Sequence, residues 1–137
     1  MPVTAGFNHV ATLTSDMART VQFYCDAFGA EVVFEMDAKD DHPRMSILDL
    51  GGGAALNVFE VAAGDIIGER RSQGHRGAID HYALAVESKA VLEGVKQRLL
   101  DAGAEIGDIQ RLGHEWSLFF RDPDGMELEV CAKADQE

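Results

Sequence analysis

The spacing of apolar and polar residues changes several times along the chain, and each change predicts an element. Phe7 to Thr14, FNHVATLT, is rich in β-branched and aromatic residues and predicts a strand. Ser15-Asp16 then supplies a helix N-cap signal. Met17, Val21, Tyr24 and Phe28 recur at intervals of three or four, the period of an amphipathic helix that Gly29 would close. Ala30 to Met36 predicts a second strand, and Asp37 to Pro43, DAKDDHP, a polar loop. Arg44 to Leu50 and Ala54 to Val61 predict two more strands, joined by Gly51-Gly52-Gly53 in a hairpin turn open to positive φ.

Residues 62–77 are polar and glycine-bearing and predict a linker with room for a short helical turn. The order then returns. Ala78 to Val86 predicts a strand, and Ser88 caps a helix with apolar residues at Val91, Leu92, Val95, Leu99 and Leu100, ending near Gly103. A short strand is expected around Ile106 to Gln110. Glu115 to Arg121 and Met126 to Cys131 form the last pair around the turn Asp122-Pro123-Asp124-Gly125.

Both halves therefore read strand, helix, strand, strand, strand. The expected class is α+β, two βαβββ modules in tandem (1–61 and 78–137) making one compact two-module domain, with helices outside a curled mixed sheet that encloses a cavity. Duplication explains the recurrence. His9 and His81 lie 72 residues apart, as do Asn57 and Glu129, and Ala11, Gly53, Leu56 and Val58 return at the same offset as Ala83, Gly125, Leu128 and Val130. The offset grows to 74 between FGAEV at Phe28 to Val32 and AGAEI at Ala102 to Ile106, which places a two-residue insertion in the second helix.

Composition narrows the function. The net charge of −12 opposes nucleic-acid binding, which needs clustered Lys and Arg. It also leaves open the attraction of a cationic ligand. No apolar stretch reaches the ~18 residues of a membrane span. The opening MPVTAGFNHV has no basic segment followed by an apolar run, and Cys25 and Cys131 form no C-x-x-C pair. These features lead us to expect a cytoplasmic protein with reduced thiols.

Strand alternation sets His9 on one face with Phe7 and Ala11, His81 with Ala83 and Ala85, Glu129 with Glu127 and Cys131, and Asn57 with Ala55 and Phe59. If helices cover the opposite faces, His9, His81 and Glu129 point inward. Alanines beside both histidines leave space for more than a side chain. Two imidazoles and one carboxylate make a facial ligand set that leaves positions open on Fe, Mn, Ni or Zn. Asn57, Phe59, Trp116 and Phe119, with Ala11 and Ala83, are candidates to line the cavity, and His114 is a candidate proton carrier at its mouth. His42 and His75 fall in polar loops and are expected to be exposed.

The openings FNHVAT…FYCDAFGAEV and IDHYALAV and the ending FFRDPDGMELEV resemble the vicinal-oxygen-chelate superfamily, which includes glyoxalases, bleomycin-resistance proteins and extradiol dioxygenases. The resemblance runs along nearly the whole chain. Family members often close with a DPDG turn and, four residues after its glycine, the metal-binding glutamate, which falls here on Glu129. The first-strand histidines of the family fall on His9 and His81. At Asn57 the chain departs from glyoxalase I and methylmalonyl-CoA epimerase, which carry a fourth ligand there, usually glutamate or glutamine. The three-ligand set resembles instead extradiol dioxygenases and fosfomycin-resistance transferases. Extradiol enzymes have a tyrosine where this chain has Phe119, with a catalytic histidine upstream to which His114 corresponds at a different spacing. The transferases have a threonine where this chain has Ala11.

The resemblance implies a metal-dependent enzyme that chelates two neighbouring oxygens of a small substrate, by lyase, isomerase or dioxygenase chemistry, and a homodimer. The alternative is a ligand-binding or drug-binding protein of the bleomycin-resistance kind with no catalysis.

Overall fold

A computed structural model describes residues 1–66 and 79–134 of the chain. The chain divides into two compact units, Met1–Ile66 and Ile67–Glu137.

The first unit contains β1 (His9–Thr14), α1 (Met17–Phe28), β2 (Glu31–Met36), β3 (Met45–Gly51) and β4 (Ala54–Glu60). Its sheet runs β1-β4-β3-β2, with β1 parallel to β4 and the other pairs antiparallel. The expected helix forms over its predicted span because both ends are capped. The Asp16 carboxylate accepts from Arg19 N–H at 3.1 Å, and Gly29 takes the left-handed conformation at φ 66°. Two tertiary contacts anchor the helix start. Met17 N–H donates to the Glu60 carboxylate at 2.7 Å, and the Thr14 and Thr20 hydroxyls bond at 2.8 Å in the interior.

α1 packs on β3 and β4, so the alternate strand residues Leu48, Leu56 and Val58 are buried against Met17, Phe23, Tyr24 and Ala27. Ser46 shares that buried face, and its hydroxyl has no hydrogen-bond partner among the described residues. The other face carries His9, Ala11, Met45, Ile47, Ala55, Asn57 and Phe59, which are half-buried or exposed.

The second unit repeats the plan with one extra strand. It contains β5 (Tyr82–Ala85), α2 (Lys89–Asp101), β6 (Glu105–Ile106), β7 (Gln110–Leu112), β8 (Glu115–Arg121) and β9 (Glu127–Lys133). β5 lies parallel to β9, β8 joins β9 to β6, and β7 pairs with β8. Leu92, Val95 and Leu99 of α2 cover Leu118, Phe120, Leu128 and Val130.

Two expectations need correction. The single strand expected around Ile106 to Gln110 is two, because Gly107-Asp108 interrupts the alternation and Gly107 N–H bonds the Phe119 carbonyl before the chain re-pairs at Gln110. Among the described residues the first strand of this unit begins at Tyr82, with Ile79 to His81 before it and Ala78 outside the described residues. The expected helical turn in the linker is a 3₁₀ turn at Ala63–Asp65, while residues 67–77 of that linker lie outside the described residues. Among the described residues no helix is long and apolar enough to cross a membrane.

Candidate functional site

In the second unit β5 and β9 run side by side, with Ala83 opposite Glu129, and β8 sets Phe119 against the other side of Glu129. The parallel pairing carries His81, one residue before β5, to the same place. Its Nε2 lies 3.2 Å from Glu129 Oε1, across 48 residues of sequence. The edge of the imidazole meets the Phe119 ring, with centroids 5.1 Å apart and planes at 72°. The other oxygen of Glu129, Oε2, accepts from the hydroxyl of Ser117, a residue with no solvent exposure.

His81 Nδ1 lies 2.7 Å from the Asp80 carboxylate. Ionised carboxylates only accept, so in the metal-free protein Nδ1 donates to Asp80 and Nε2 to Glu129, as an imidazolium; a metal would take Nε2 in place of its proton while Nδ1 keeps the bond to Asp80. The first unit repeats the device. His9 Nδ1 lies 2.7 Å from the Asn8 side-chain oxygen, and Asn8 and Asp80 are again 72 residues apart. Asn57 pairs with Ala11 across β1 and β4, and with Ile47 across β3, as Glu129 pairs with Ala83 and Phe119.

The electrostatics favour the protonated, positively charged form of the His81 imidazole. The hydrogen bond to Asp80 is the main influence holding the His81 pKa above its usual 6.5; partial burial opposes it and Glu129 adds to it. Cys131, two residues on and on the same face as Glu129, is pushed the opposite way in function: burial, then the Glu129 charge, raises its thiol to about 12, so it stays protonated and neutral.

The pair also has the dimensions of two ligands on one ion. Donors each about 2.1 Å from a metal, at angles between octahedral and tetrahedral, lie about 3.0–3.4 Å apart. The observed 3.2 Å falls inside that interval. One face of the pair is therefore chemically suited to a divalent metal. Among the described residues, however, no three His, Cys, Asp or Glu side chains are arranged so that together they could hold a metal ion. His9 belongs to the first unit.

Other candidates fall as follows. Phe119 stands on the Glu129 face, as expected for a lining residue. Trp116 does not: it pairs with Ala132, alternates with Leu118 and Phe120 on the helix side, and has Lys89 Nζ 4.0 Å above its ring. Ala11, Asn57 and Phe59 lie together on the open face of the first sheet, and Ala83 on that of the second.

His114 sits exposed in the β7–β8 turn, where its carbonyl accepts from Ala134 N–H. It is five residues along β8 from Phe119, about 16 Å from the level of Glu129, and the structure does not bring it to the pair. His42 is half-buried rather than exposed, its ring 5.7 Å from that of Phe59. His75 lies outside the described residues.

Asn8, Asp80 and Ser117 are site residues that the sequence pattern did not single out. The first two had a signal, a side-chain oxygen directly before each repeated histidine. A pocket of about 210 Å³ lies along β6 and β8, lined by Glu105, Ile106, Phe119, Arg121 and Glu127 among others; Phe119 lines it, and His81 and Glu129 do not.

The family model for the Glyoxalase/Bleomycin resistance protein/Dioxygenase superfamily matches residues 6–130. A 2-epi-5-epi-valiolone epimerase from Actinomyces sp is 30% identical over 95% of this chain and 80% of its own length. A glyoxylase/bleomycin resistance protein/dioxygenase domain from Frankia sp. EAN1pec has a TM-score of 0.81 and 25% identity, covering 95% of this chain and 98% of its own. The fold is shared too by a mutant of the fosfomycin resistance protein FosX from Listeria monocytogenes, complexed with Mn(II) and 1S,2S-dihydroxypropylphosphonic acid, at TM-score 0.70, 16% identity and coverage of 93% and 92%. With the two units of like plan and the histidines repeated at the start of each, the match of the family model over residues 6–130 establishes that the chain belongs to the glyoxalase/bleomycin resistance protein/dioxygenase superfamily.

Proposed function

We propose that this protein is a metal-dependent enzyme that binds a small, oxygen-rich substrate through two neighbouring oxygens. The observation that carries the reading is the His81–Glu129 pair: Nε2 and Oε1 face each other at 3.2 Å, with the outer atoms of both side chains already tied to Asp80 and Ser117. His81 and Glu129 would hold the ion, and His9, fixed by Asn8 in the matching place of the first unit, would supply a third ligand from the same chain or a second copy. A divalent ion there supplies Lewis acidity, stabilising negative charge that develops on a bound oxygen.

The chain's own residues do the rest. Asp80 keeps the His81 proton on Nδ1, and Phe119 packs against the imidazole edge. Of the chemistries open to such a site, isomerisation has support from the epimerase relative, and lyase or dioxygenase chemistry from the wider family. Asn57, neutral and short, would orient water or substrate rather than act as a base. The family likeness supports a homodimer, and the free thiols of Cys25 and Cys131 support a cytoplasmic location.

The test is elemental analysis of untagged protein beside His9→Ala, His81→Ala and Glu129→Ala variants. Near-stoichiometric Fe, Mn, Ni or Zn, lost in the variants, is expected. A wild type that stays empty after reconstitution with each metal would remove the enzyme reading and leave ligand sequestration in its place.

A further inference from the structure

We propose that Ser117 is a positioning residue that selects which oxygen of Glu129 is offered to the metal; the inference rests on the reading of the site just given. A carboxylate on a β-strand can rotate about its last bond and present either oxygen or both. In this protein the choice is made by the neighbouring strand. Ser117 lies opposite Cys131 across β8 and β9, two residues before Phe119, which is itself opposite Glu129. Its hydroxyl donates to Oε2 of Glu129, and Oε1 is thereby left facing His81 Nε2 at 3.2 Å.

Three features make the contact directional. Ser117 is fully buried, so no water competes for its proton. Glu129 is only 13% exposed in its side chain, so little water reaches it, and the other neutral group hydrogen-bonded to it, the Cys131 thiol, is a weak donor. The acceptor is an ion, and hydrogen bonds to ions are shorter and stronger than neutral ones. Orientation of a ligand by an outer hydrogen bond commonly changes metal affinity by about 10–100-fold. The first unit has no counterpart: the position 72 residues before Ser117 is Met45, which fits the neutral Asn57 in place of the glutamate. The serine accompanies the carboxylate.

The experiment is titration of the metal-stripped protein with Mn(II) alone, followed by calorimetry and by the electron paramagnetic resonance signal of bound Mn(II). The wild type, Ser117→Ala, Ser117→Thr and, as a distant control, Ser46→Ala are compared. We expect Ser117→Ala to bind Mn(II) at least tenfold more weakly with an altered signal, Ser117→Thr to restore both within about threefold, and Ser46→Ala to match the wild type. Should Ser117→Ala fail to fold by circular dichroism, Ser117→Cys, similar in shape and a weak donor, takes its place with the same expected loss. Wild-type affinity in Ser117→Ala, or equal loss in Ser117→Thr, overturns the role of Ser117 while leaving the site standing. If instead the wild type itself binds no Mn(II), the metal site is what fails, and the positioning role falls with it.

Discussion

The two fully buried serines of the sheets should respond to the same substitution with opposite signs. Ser46 points into the first core with its hydroxyl unpartnered among the described residues; Ser117 donates its proton to the Glu129 carboxylate. Burying an unpaired hydroxyl costs about 1–3 kcal/mol on protein scales. Ser46→Ala removes that cost and leaves a void of a single oxygen, forfeiting a few contacts of about 0.1–0.2 kcal/mol each. The net expectation is a gain of about 0.5–1 kcal/mol, or about 2–4 °C in melting temperature for a chain of this size.

Ser117→Ala removes a hydrogen bond to an ion, about 1.5–3 kcal/mol. Glu129 keeps a little solvent contact, at 13% exposure, so water replaces part of it. The expected loss is about 1–2 kcal/mol. Urea unfolding of metal-free protein at pH 7, read by circular dichroism, measures both. Comparison of midpoints requires unchanged m-values, which also checks that the unfolding remains cooperative. A Ser46→Ala protein that is less stable than wild type by more than about 0.5 kcal/mol would refute the reasoning, because it would mean the hydroxyl has a partner.

The two titrating groups beside Glu129 give further predictions for metal-free protein. With a thiol pKa of about 12, Cys131 should react with iodoacetamide at pH 8 about a thousandfold more slowly than an ordinary cysteine, and at the ordinary rate in urea; rapid alkylation of the folded protein, located by peptide mass, would contradict the burial assigned to it. His81 has a raised folded pKa, so the stability it contributes is fully present below its unfolded value of 6.5 and is lost as pH rises through the folded value. His81→Gln should therefore lose more stability relative to wild type at pH 6 than at pH 9, and equal losses at both would remove the imidazolium from the account. By NMR, Asp80→Asn and Glu129→Gln should each lower the His81 titration midpoint, since both carboxylates raise it, and a midpoint unmoved by Asp80→Asn would contradict the hydrogen bond assigned to Nδ1.

How far the sequence disclosed this site depends on the kind of contact. α1 and β8 form over their predicted spans because their end signals are local: Asp16 and Gly29 for the helix, and the Asp122-Pro123-Asp124-Gly125 turn for the strand. The partnership of His81 with Glu129 was legible through the duplication, since a 72-residue offset repeats both members of each pair. Trp116 was mistaken for a lining residue although its parity with Leu118 and Phe120 sets it on the helix side. A large aromatic beside a strand start looks the same whichever face it takes, until the register is counted.

The contacts of Ser117 and Asp80 depend on rotamers and on cross-strand register, neither of which hydrophobic periodicity carries. The extra strand β7 was missed because a Gly-Asp interruption ends one pairing without showing where the next begins.

The parallel pairing of β5 with β9 has a kinetic consequence. Its partners are distant in sequence, with His81 and Glu129 separated by 48 residues, whereas β8 and β9 meet across a five-residue connection, 122–126. Closing the longer loop costs more chain entropy, so the hairpin has the means to form early and the first strand of the module to dock late. The histidine and the glutamate come face to face only at that last step. A ligand that needs both would then select the finished unit over every partly folded one, and its binding energy would add directly to the stability of the native state.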